Sequence, residues 1–236
     1  MLIFSQLING LQLGSIYALV ALGYSMVYGI IKLLNFAHGD IIMVGGYIAL
    51  MALTSGIAPG FAVLLSIMGC IFLSVLIEKV AYKPLRHAPR ISLLITAIGI
   101  SIFLQNMAQF LFEAKARSFP AGDIIPSTTL ELGGLRISIT SLVTIVVSIV
   151  SMIILSFLVQ KTKIGKAMRA VSEDTDAAQL MGINVNNVVS FTFAIGSALA
   201  GIGAILYCTR YPLVSPTMGS LLGLKAFVAA VLGGIG

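Results

Sequence analysis

Residues 161–187, KTKIGKAMRAVSEDTDAAQLMGINVNN, form a long, strongly charged segment between two apolar runs that are each long enough to cross a bilayer. Apolar residues recur from Ile164 to Met181 at roughly helical spacing, with charged residues between them, which predicts an amphipathic helix. The segment has no metal-ligand cluster, no nucleophile paired with a base and no phosphate-binding loop. We therefore expect this charged segment to contact another protein at a membrane surface.

The composition indicates that the rest of the chain is built into a membrane. Hydrophobic residues make up 58% of the chain and charged residues 9%, against about 25% charged residues in a typical soluble domain, and the mean hydropathy is +1.08. We expect one integral membrane domain over residues 1–236. The net charge is +6, but most lysines and arginines lie in loops between apolar runs, where they indicate topology rather than nucleic-acid binding.

The apolar runs predict an all-α, polytopic fold of about six complete transmembrane helices followed by a partial or re-entrant C-terminal segment. The predicted crossings are residues 1–31, a segment containing 41–53, and residues 61–77, 91–112, 139–160 and 188–207, followed by the C-terminal run 218–236. Residues 113–138 are expected to form an external loop with short extended pieces. Gly196, Gly201 and Gly203 predict close packing of the sixth crossing against another helix.

The basic residues predict which loops share a side of the membrane. Eight lysines and arginines lie in loops 78–90 and 161–187, expected to be cytoplasmic, and four lie at positions 115, 117, 136 and 210, expected to be outside. Counting Lys32 as internal gives nine against four, with the N-terminus outside. His87 has no partner at ligand spacing, so we expect no metal role for it.

The second crossing contains unusual polar residues. Its strictly apolar part, residues 41–53, would span only about 20 Å as a helix, less than the hydrocarbon core of about 30 Å. A full crossing must include Asn35, His38 and Asp40, or the chain must break at membrane depth. Two interpretations remain open, namely a short interfacial loop capped by Asp40 or a discontinuous helix facing a transport pathway.

The sequence lacks the motifs of common enzyme classes. It contains no GxxxxGK[ST] loop for ATP, no paired carboxylates, no zinc spacing and no nucleophile elbow, so we expect no cofactor and no metal. Cys70 and Cys208 form no redox motif and are expected to be small buried residues. An amphipathic anchor on anionic lipid is an alternative role for the charged segment, but such a surface would repel Glu173, Asp174 and Asp176. A protein partner is favoured.

Motifs in and around the charged segment resemble a known family. Asp176, Ala177 and Ala178, followed by Gly182, match the EAA-x3-G pattern of ABC importer permeases, with Asp in place of Glu. The longer strings NGLQLGSIYALVALGYSMVYGIIKLLNFAHGDIIMVGGY (9–47) and GKAMRAVSEDTDAAQLMGINVNNVVSFTFAIGSALAGIGAILY (165–207) are similar to the branched-chain amino-acid ABC permease family, in particular its LivH-type subunit. The resemblance covers nearly the whole chain.

The resemblance implies a permease subunit of an ABC importer in the bacterial inner membrane, without an ATPase site of its own. In that family, the EAA segment is the coupling helix that docks into a groove of the cytoplasmic ATPase. The implied partners are a second, LivM-type permease, two cytoplasmic ATPase subunits and a periplasmic binding protein that delivers leucine, isoleucine or valine. Asn35, His38 and Asp40 are the residues that we expect to line the pathway.

Other functions remain compatible with the sequence. They are a urea or short-amide permease of the same family, an ATP-independent channel or ion-coupled carrier, and a non-transporting membrane scaffold. An ion-coupled carrier usually has ionisable groups within several helices, whereas Asp40 is the one credible acidic residue here. Members of the family continue through further helices after a string like VLGGIG, so the resemblance also implies a C-terminal truncation.

Overall fold

The computed structural model describes residues 2–32, 34–86, 88–126, 128–132 and 135–235. The helices in this part of the chain are α1 (Leu2–Ile31), α2 (His38–Thr54), α3 (Pro59–Ile77), α4 (Arg90–Phe112), α5 (Ala121–Ile124), α6 (Ile139–Lys161), α7 (Lys163–Glu173), α8 (Thr175–Leu180), α9 (Val185–Arg210) and α10 (Met218–Leu232). A π-helical turn, Glu78–Tyr82, and a 3₁₀ turn, Lys83–Leu85, extend α3. Two antiparallel pairs of short strands join β1 (Arg117–Ser118) to β4 (Leu213–Val214) and β2 (Thr129–Leu132) to β3 (Leu135–Ser138).

The predicted all-α, polytopic membrane fold is confirmed. Among the described residues, five helices are long and apolar enough to cross a bilayer, namely α1, the extended α3, α4, α6 and α9. Helices α2 and α10 have 17 and 15 residues, or about 26 and 22 Å of helix, less than the hydrocarbon core of about 30 Å. The second predicted crossing and the C-terminal run are therefore the two short helices of the bundle.

Helix α9 lies at the centre of the bundle and packs against α1, α2 and α3. Of its most apolar stretch, 67% is buried, against 22% for α4 and for α6. These outer helices expose large apolar side chains such as Phe110 and Ile153, which suits contact with lipid. The predicted close packing of the sixth crossing is confirmed, because a Cβ on Gly201 would lie only 2.8 Å from the Cα of Ile67 in α3.

The loops expected on the same side of the membrane lie at the same end of the bundle, as the charge distribution predicts. At one end, Arg86 Nη1 donates a hydrogen bond to Asn186 Oδ1 at 2.6 Å, so loop 78–90 lies beside the charged segment; we call this the charged end. At the opposite end, the pairing of β1 with β4 joins loop 113–138 to the turn after α9. The extended pieces predicted in that loop form the β2–β3 hairpin. His87 lies outside the described residues.

The charged segment contains two helices, so the prediction of one continuous helix from Ile164 to Met181 is wrong. Asp174 separates α7 from α8 with an extended backbone, at φ −148° and ψ 110°. Its Oδ1 accepts hydrogen bonds from the backbone N–H groups of Asp176 and Ala177, both at 2.9 Å. An aspartate that caps the next helix in this way competes with continuation of the previous one.

Candidate functional site

The chain turns back into the bundle between α1 and α2. Helix α1 ends at Ile31, and Lys32 follows in a left-handed backbone conformation with φ 54°. The rings of Tyr24 and His38 nevertheless lie edge to face with centroids 4.7 Å apart, and Tyr24 precedes the end of α1 by about two turns, or roughly 10 Å. Residues 34–37 therefore run back along α1 before α2 begins, and we call them the re-entrant segment.

The re-entrant segment is partly enclosed by protein, with Asn35 and Ala37 buried and Leu34 and Phe36 half-buried. Asn35 is 2% exposed and Ala37 is fully buried, and the His38 backbone N–H donates to the Asn35 carbonyl oxygen at 3.0 Å. Non-helical backbone at membrane depth is tolerated where protein surrounds it or where it lines a cavity. This geometry favours a discontinuous helix over the interfacial loop that the sequence left as an alternative.

The start of α10 meets the start of α2. A Cβ on Gly39 would lie 2.3 Å from the carbonyl oxygen of Gly219, and a Cβ on Gly219 would lie 2.5 Å from that of Gly39. Gly23 and Gly196 show the same reciprocity at 3.1 and 3.3 Å. The pair α1–α2 thus contacts the pair α9–α10 at two glycine–glycine approaches, α1 against α9 and α2 against α10. Short or interrupted helices at membrane depth are a common location of transporter binding sites, and α2 and α10, the two short apolar helices among the described residues, meet here.

Two of the three predicted pathway residues have a buried polar atom without a partner. Asn35 Oδ1 accepts a hydrogen bond from the Tyr82 hydroxyl at 2.8 Å, while His38 packs against α1 beside Gly23. Among the described residues, Asn35 Nδ2 and His38 Nε2 are buried and make no hydrogen bond. Leaving a buried polar group unsatisfied costs about 1–3 kcal/mol. Three other buried atoms of the described residues share this condition, on Tyr47, Ser148 and Arg210. It is therefore the combination of Asn35 with His38 at a helix break that draws attention to the site.

Asp40, the third predicted pathway residue, faces a different neighbour. It is fully buried and accepts hydrogen bonds from the Ser101 hydroxyl and, at 3.1 Å, from Gln105 Nε2, both on α4. The structure therefore brings Asn35, His38 and Asp40 to the start of α2, where they contact the π-helical turn, α1 and α4 respectively. They share a position in the fold but do not converge on one point.

A capping side chain within the charged segment begins each of the helices α7, α8 and α9. Thr162 accepts a hydrogen bond from the backbone N–H of Gly165 and begins α7, and Asn184 accepts from that of Asn187 and begins α9. Gly182 ends α8 with φ 84°, a left-handed conformation that favours glycine. The glycine of the EAA-x3-G motif thus has a backbone role at the end of α8.

The four predicted coupling residues do not share one face of α8. Ala178 is 4% exposed and packs with Met168, Val171 and Val188, whereas Asp176, Ala177 and Gly182 are exposed. Sequence reasoning missed the most prominent side chains of this region. Leu180 and Met181 are 89% and 83% exposed at the end of α8, and an apolar pair beside Gly182 is the signal that identifies them.

An apolar groove of about 710 Å³ lies away from the predicted pathway residues. Its walls come from α1, α6 and the end of α10, including Tyr17, Leu155 and Ala230. None of Asn35, His38 and Asp40 lines it. The groove and the start of α2 are therefore separate features of the bundle.

Comparison with known proteins identifies the family. The family model described as the permease component of branched-chain amino acid transport systems matches residues 6–236. The chain belongs to this family. It is accordingly a permease, a multi-pass protein of the bacterial inner membrane, and the LivH-type resemblance seen in the sequence is confirmed.

Individual relatives resemble this permease over most of its length. The high-affinity branched-chain amino acid transport system permease protein BraD of Pseudomonas aeruginosa is 42% identical, with 98% of this chain and 79% of BraD aligned. The corresponding LivH of Escherichia coli K12 is 38% identical over the same shares. The ribose import permease RbsC of Haemophilus influenzae is 33% identical over 33% of this chain and 24% of its own length. No solved structure matches.

Proposed function

We propose that this permease forms, with a second, LivM-type permease, the ATP-driven pathway that imports branched-chain amino acids. Two cytoplasmic ATPase subunits hydrolyse the ATP, and a periplasmic binding protein delivers the substrate. The permease has a transport role without an ATPase site or cofactor of its own. Membership in the family, together with branched-chain amino acid transport in the names of BraD and LivH, supports this substrate.

The exposed end of α8 is the observation that supports an ATPase subunit as the partner of the charged segment. Leu180 and Met181 stand in the solvent beside Asp176 and Ala177, while Ala178 fixes the helix to the bundle. Exposed apolar side chains at the tip of a short helix favour insertion into a groove of another protein. The acidic and apolar mixture is poorly suited to an anionic lipid surface.

The test measures ATP hydrolysis and leucine uptake in vesicles that contain this permease, its three partner subunits and the binding protein. We expect ATP-dependent uptake with the native permease. Gly182→Val forces a β-branched residue into the left-handed region, a strain of about 1–3 kcal/mol, and displaces the end of α8. We expect this variant to lower uptake and binding-protein-stimulated ATP hydrolysis together.

Gly56→Val is the matched control. Gly56 also has a left-handed backbone, at φ 77°, and like Gly182 it has open space where a Cβ would lie, but it is in the turn after α2 at the opposite end of the bundle. Equal loss of uptake in both variants, or normal uptake with Gly182→Val, would contradict the docking role. Uptake that proceeds without ATPase subunits would support a channel or carrier instead.

A further inference from the structure

A buried carboxylate joins α3 to the first turns of α9. Glu78, the first residue of the π-helical turn, is fully buried. It forms an ion pair with Arg86, whose side chain is 16% exposed, and accepts a hydrogen bond from the Ser190 hydroxyl at 2.6 Å. Arg86 also donates to Asn186 in the first turn of α9. Loop 78–90 is thereby tied to the helix that directly follows α8.

These contacts continue a row along the α3–α9 interface. Asn186, Ser190 and Phe193 lie on one face of α9, at the spacing of neighbouring helical turns. Ser74 donates to the Phe193 carbonyl oxygen at 3.4 Å, and the rings of Tyr82 and Phe193 are 5.6 Å apart. The row therefore begins at Asn186, within the charged segment, and ends at Tyr82.

The same π-helical turn also contacts the re-entrant segment. Tyr82 is 2% exposed, and its hydroxyl donates to Asn35 Oδ1 at 2.8 Å. Glu78 and Tyr82 are the first and last residues of one turn, so a single short element contacts α9 through one residue and the re-entrant segment through the other. π-Helical turns occur frequently at functional sites.

We propose that the turn Glu78–Tyr82, together with Arg86, is a connector that carries movement of the charged segment to the re-entrant segment. This inference rests on the proposed function, because the ATPase is what would move the charged segment. The two links differ in strength. Separating Glu78 from Arg86 and Ser190 would leave a buried charge unpaired, which is very costly, whereas the Tyr82–Asn35 contact is a single neutral hydrogen bond. Glu78, Arg86 and Tyr82 are positioning residues.

The test removes the weaker contact, the Tyr82–Asn35 hydrogen bond, and measures cysteine accessibility at both ends of the connector. Tyr82→Phe deletes the hydroxyl and keeps the ring that packs on Phe193. Two reporter cysteines are introduced separately, Glu173→Cys in the charged segment and Phe36→Cys in the re-entrant segment. Cys70 and Cys208 are both fully buried, so the reporters should dominate labelling of this chain by a water-soluble maleimide, and labelling is read on this chain after the subunits are separated. Labelling rates are compared in the full complex without nucleotide and with ATP and vanadate.

We expect nucleotide to change the labelling rate at both reporters in the parent complex. Tyr82→Phe should leave the change at position 173 intact and reduce the change at position 36 by about fivefold, as expected for loss of one hydrogen bond. Uptake per ATP hydrolysed should fall by a similar factor. Tyr207→Phe removes a hydroxyl near the far end of α9 and should alter neither reporter.

Each remaining outcome overturns a specific statement. An unchanged nucleotide response at position 36 in Tyr82→Phe, or no response there in the parent complex, overturns the connector alone. If Tyr82→Phe reduces the nucleotide-induced change in labelling rate equally at both reporters, Tyr82 has a structural role, and this result also overturns the connector. Absence of any response at position 173 in the parent complex overturns the proposed ATPase coupling, and the connector with it.

Discussion

The charged segment and the re-entrant segment both interrupt helices, but they do so by different means. In the charged segment, Asp174 and Asn184 each begin the next helix through hydrogen bonds within a few residues, at exposed positions. The re-entrant segment follows Lys32 and is held by distant parts of the chain, as the Asn35–Tyr82 hydrogen bond shows. One interruption is local, and the other depends on the packed bundle.

This difference predicts where substitutions will damage the fold. Exposed caps and apolar tips affect a few neighbouring contacts, so changes in the charged segment should alter partner binding more than stability. Around the re-entrant segment, backbones touch at glycines and polar side chains are buried, so changes there should alter stability first. Unfolding of the purified permease in detergent measures this contrast directly.

The largest loss of stability is expected from Gly39→Ala. Its Cβ would lie 2.3 Å from the carbonyl oxygen of Gly219 and 2.9 Å from the Cα of Gly223. Both are backbone atoms, so α2 and α10 must separate, at a cost of more than about 3 kcal/mol. Gly10→Ala, which has open space around its Cβ, is the control and should stabilise α1 by up to about 1 kcal/mol. Similar melting temperatures for the two variants would refute the close contact of the short helices.

The next largest effect is expected from Glu78→Ala. Arg86 would then lack its buried partner, and the Ser190 hydroxyl would lose its acceptor. We expect the free energy of unfolding to fall by about 3 kcal/mol, at the lower end for a broken buried ion pair because Arg86 is partly exposed. The control Glu173→Ala removes an exposed carboxylate and should change stability by less than about 0.5 kcal/mol. If the two variants unfold alike, the buried ion pair does not stabilise the charged end.

Most of the fold could be predicted from the sequence because lipid requires long apolar helices. Helices α3, α4, α6 and α9 begin and end within about three residues of the predicted bounds, since charged and turn residues flank each run. The break at Asp174 was missed because the apolar periodicity of the charged segment continues across it. A capping aspartate leaves that periodicity unchanged, so the interruption is seen in the extended backbone and the side-chain hydrogen bonds of Asp174 and not in the apolar pattern.

The candidate site was only partly predictable for a different reason. Short apolar length identified Asn35, His38 and Asp40 as unusual, and the structure places all three at the start of α2. Their partners, such as Tyr82, come from helices distant in sequence. No periodicity encodes which helices meet. The chain has 24 glycines, and nothing in the sequence singles out Gly39 and Gly219 as the two that touch. The contacts between helices distant in sequence therefore could not be predicted from the sequence pattern.

A smaller loss of stability is expected from Asp40→Asn. The substitution keeps the size of the side chain but replaces one acceptor oxygen with an amide donor, which faces the donors of Ser101 and Gln105. We expect the unfolding free energy to fall by about 1.5 kcal/mol, as for loss of a hydrogen bond to a charged group. Asp123→Asn, at an exposed position, is the control. A stability equal to that of the control would show that α4 is not held to α2 by this contact.

The smallest effect on stability is expected from Leu180→Ser, which gives the clearest contrast with the re-entrant segment. Leu180 is 89% exposed, so its loss should change the unfolding free energy by less than about 0.5 kcal/mol. Affinity for the ATPase subunits should nevertheless fall by about tenfold, because an apolar anchor in an interface commonly contributes more than 1 kcal/mol. Gln179→Ser changes an exposed polar neighbour on the same helix and should leave that affinity unchanged. Retained binding by Leu180→Ser, measured by co-purification at several ATPase concentrations, would mean that the docking surface of α8 does not include its apolar tip.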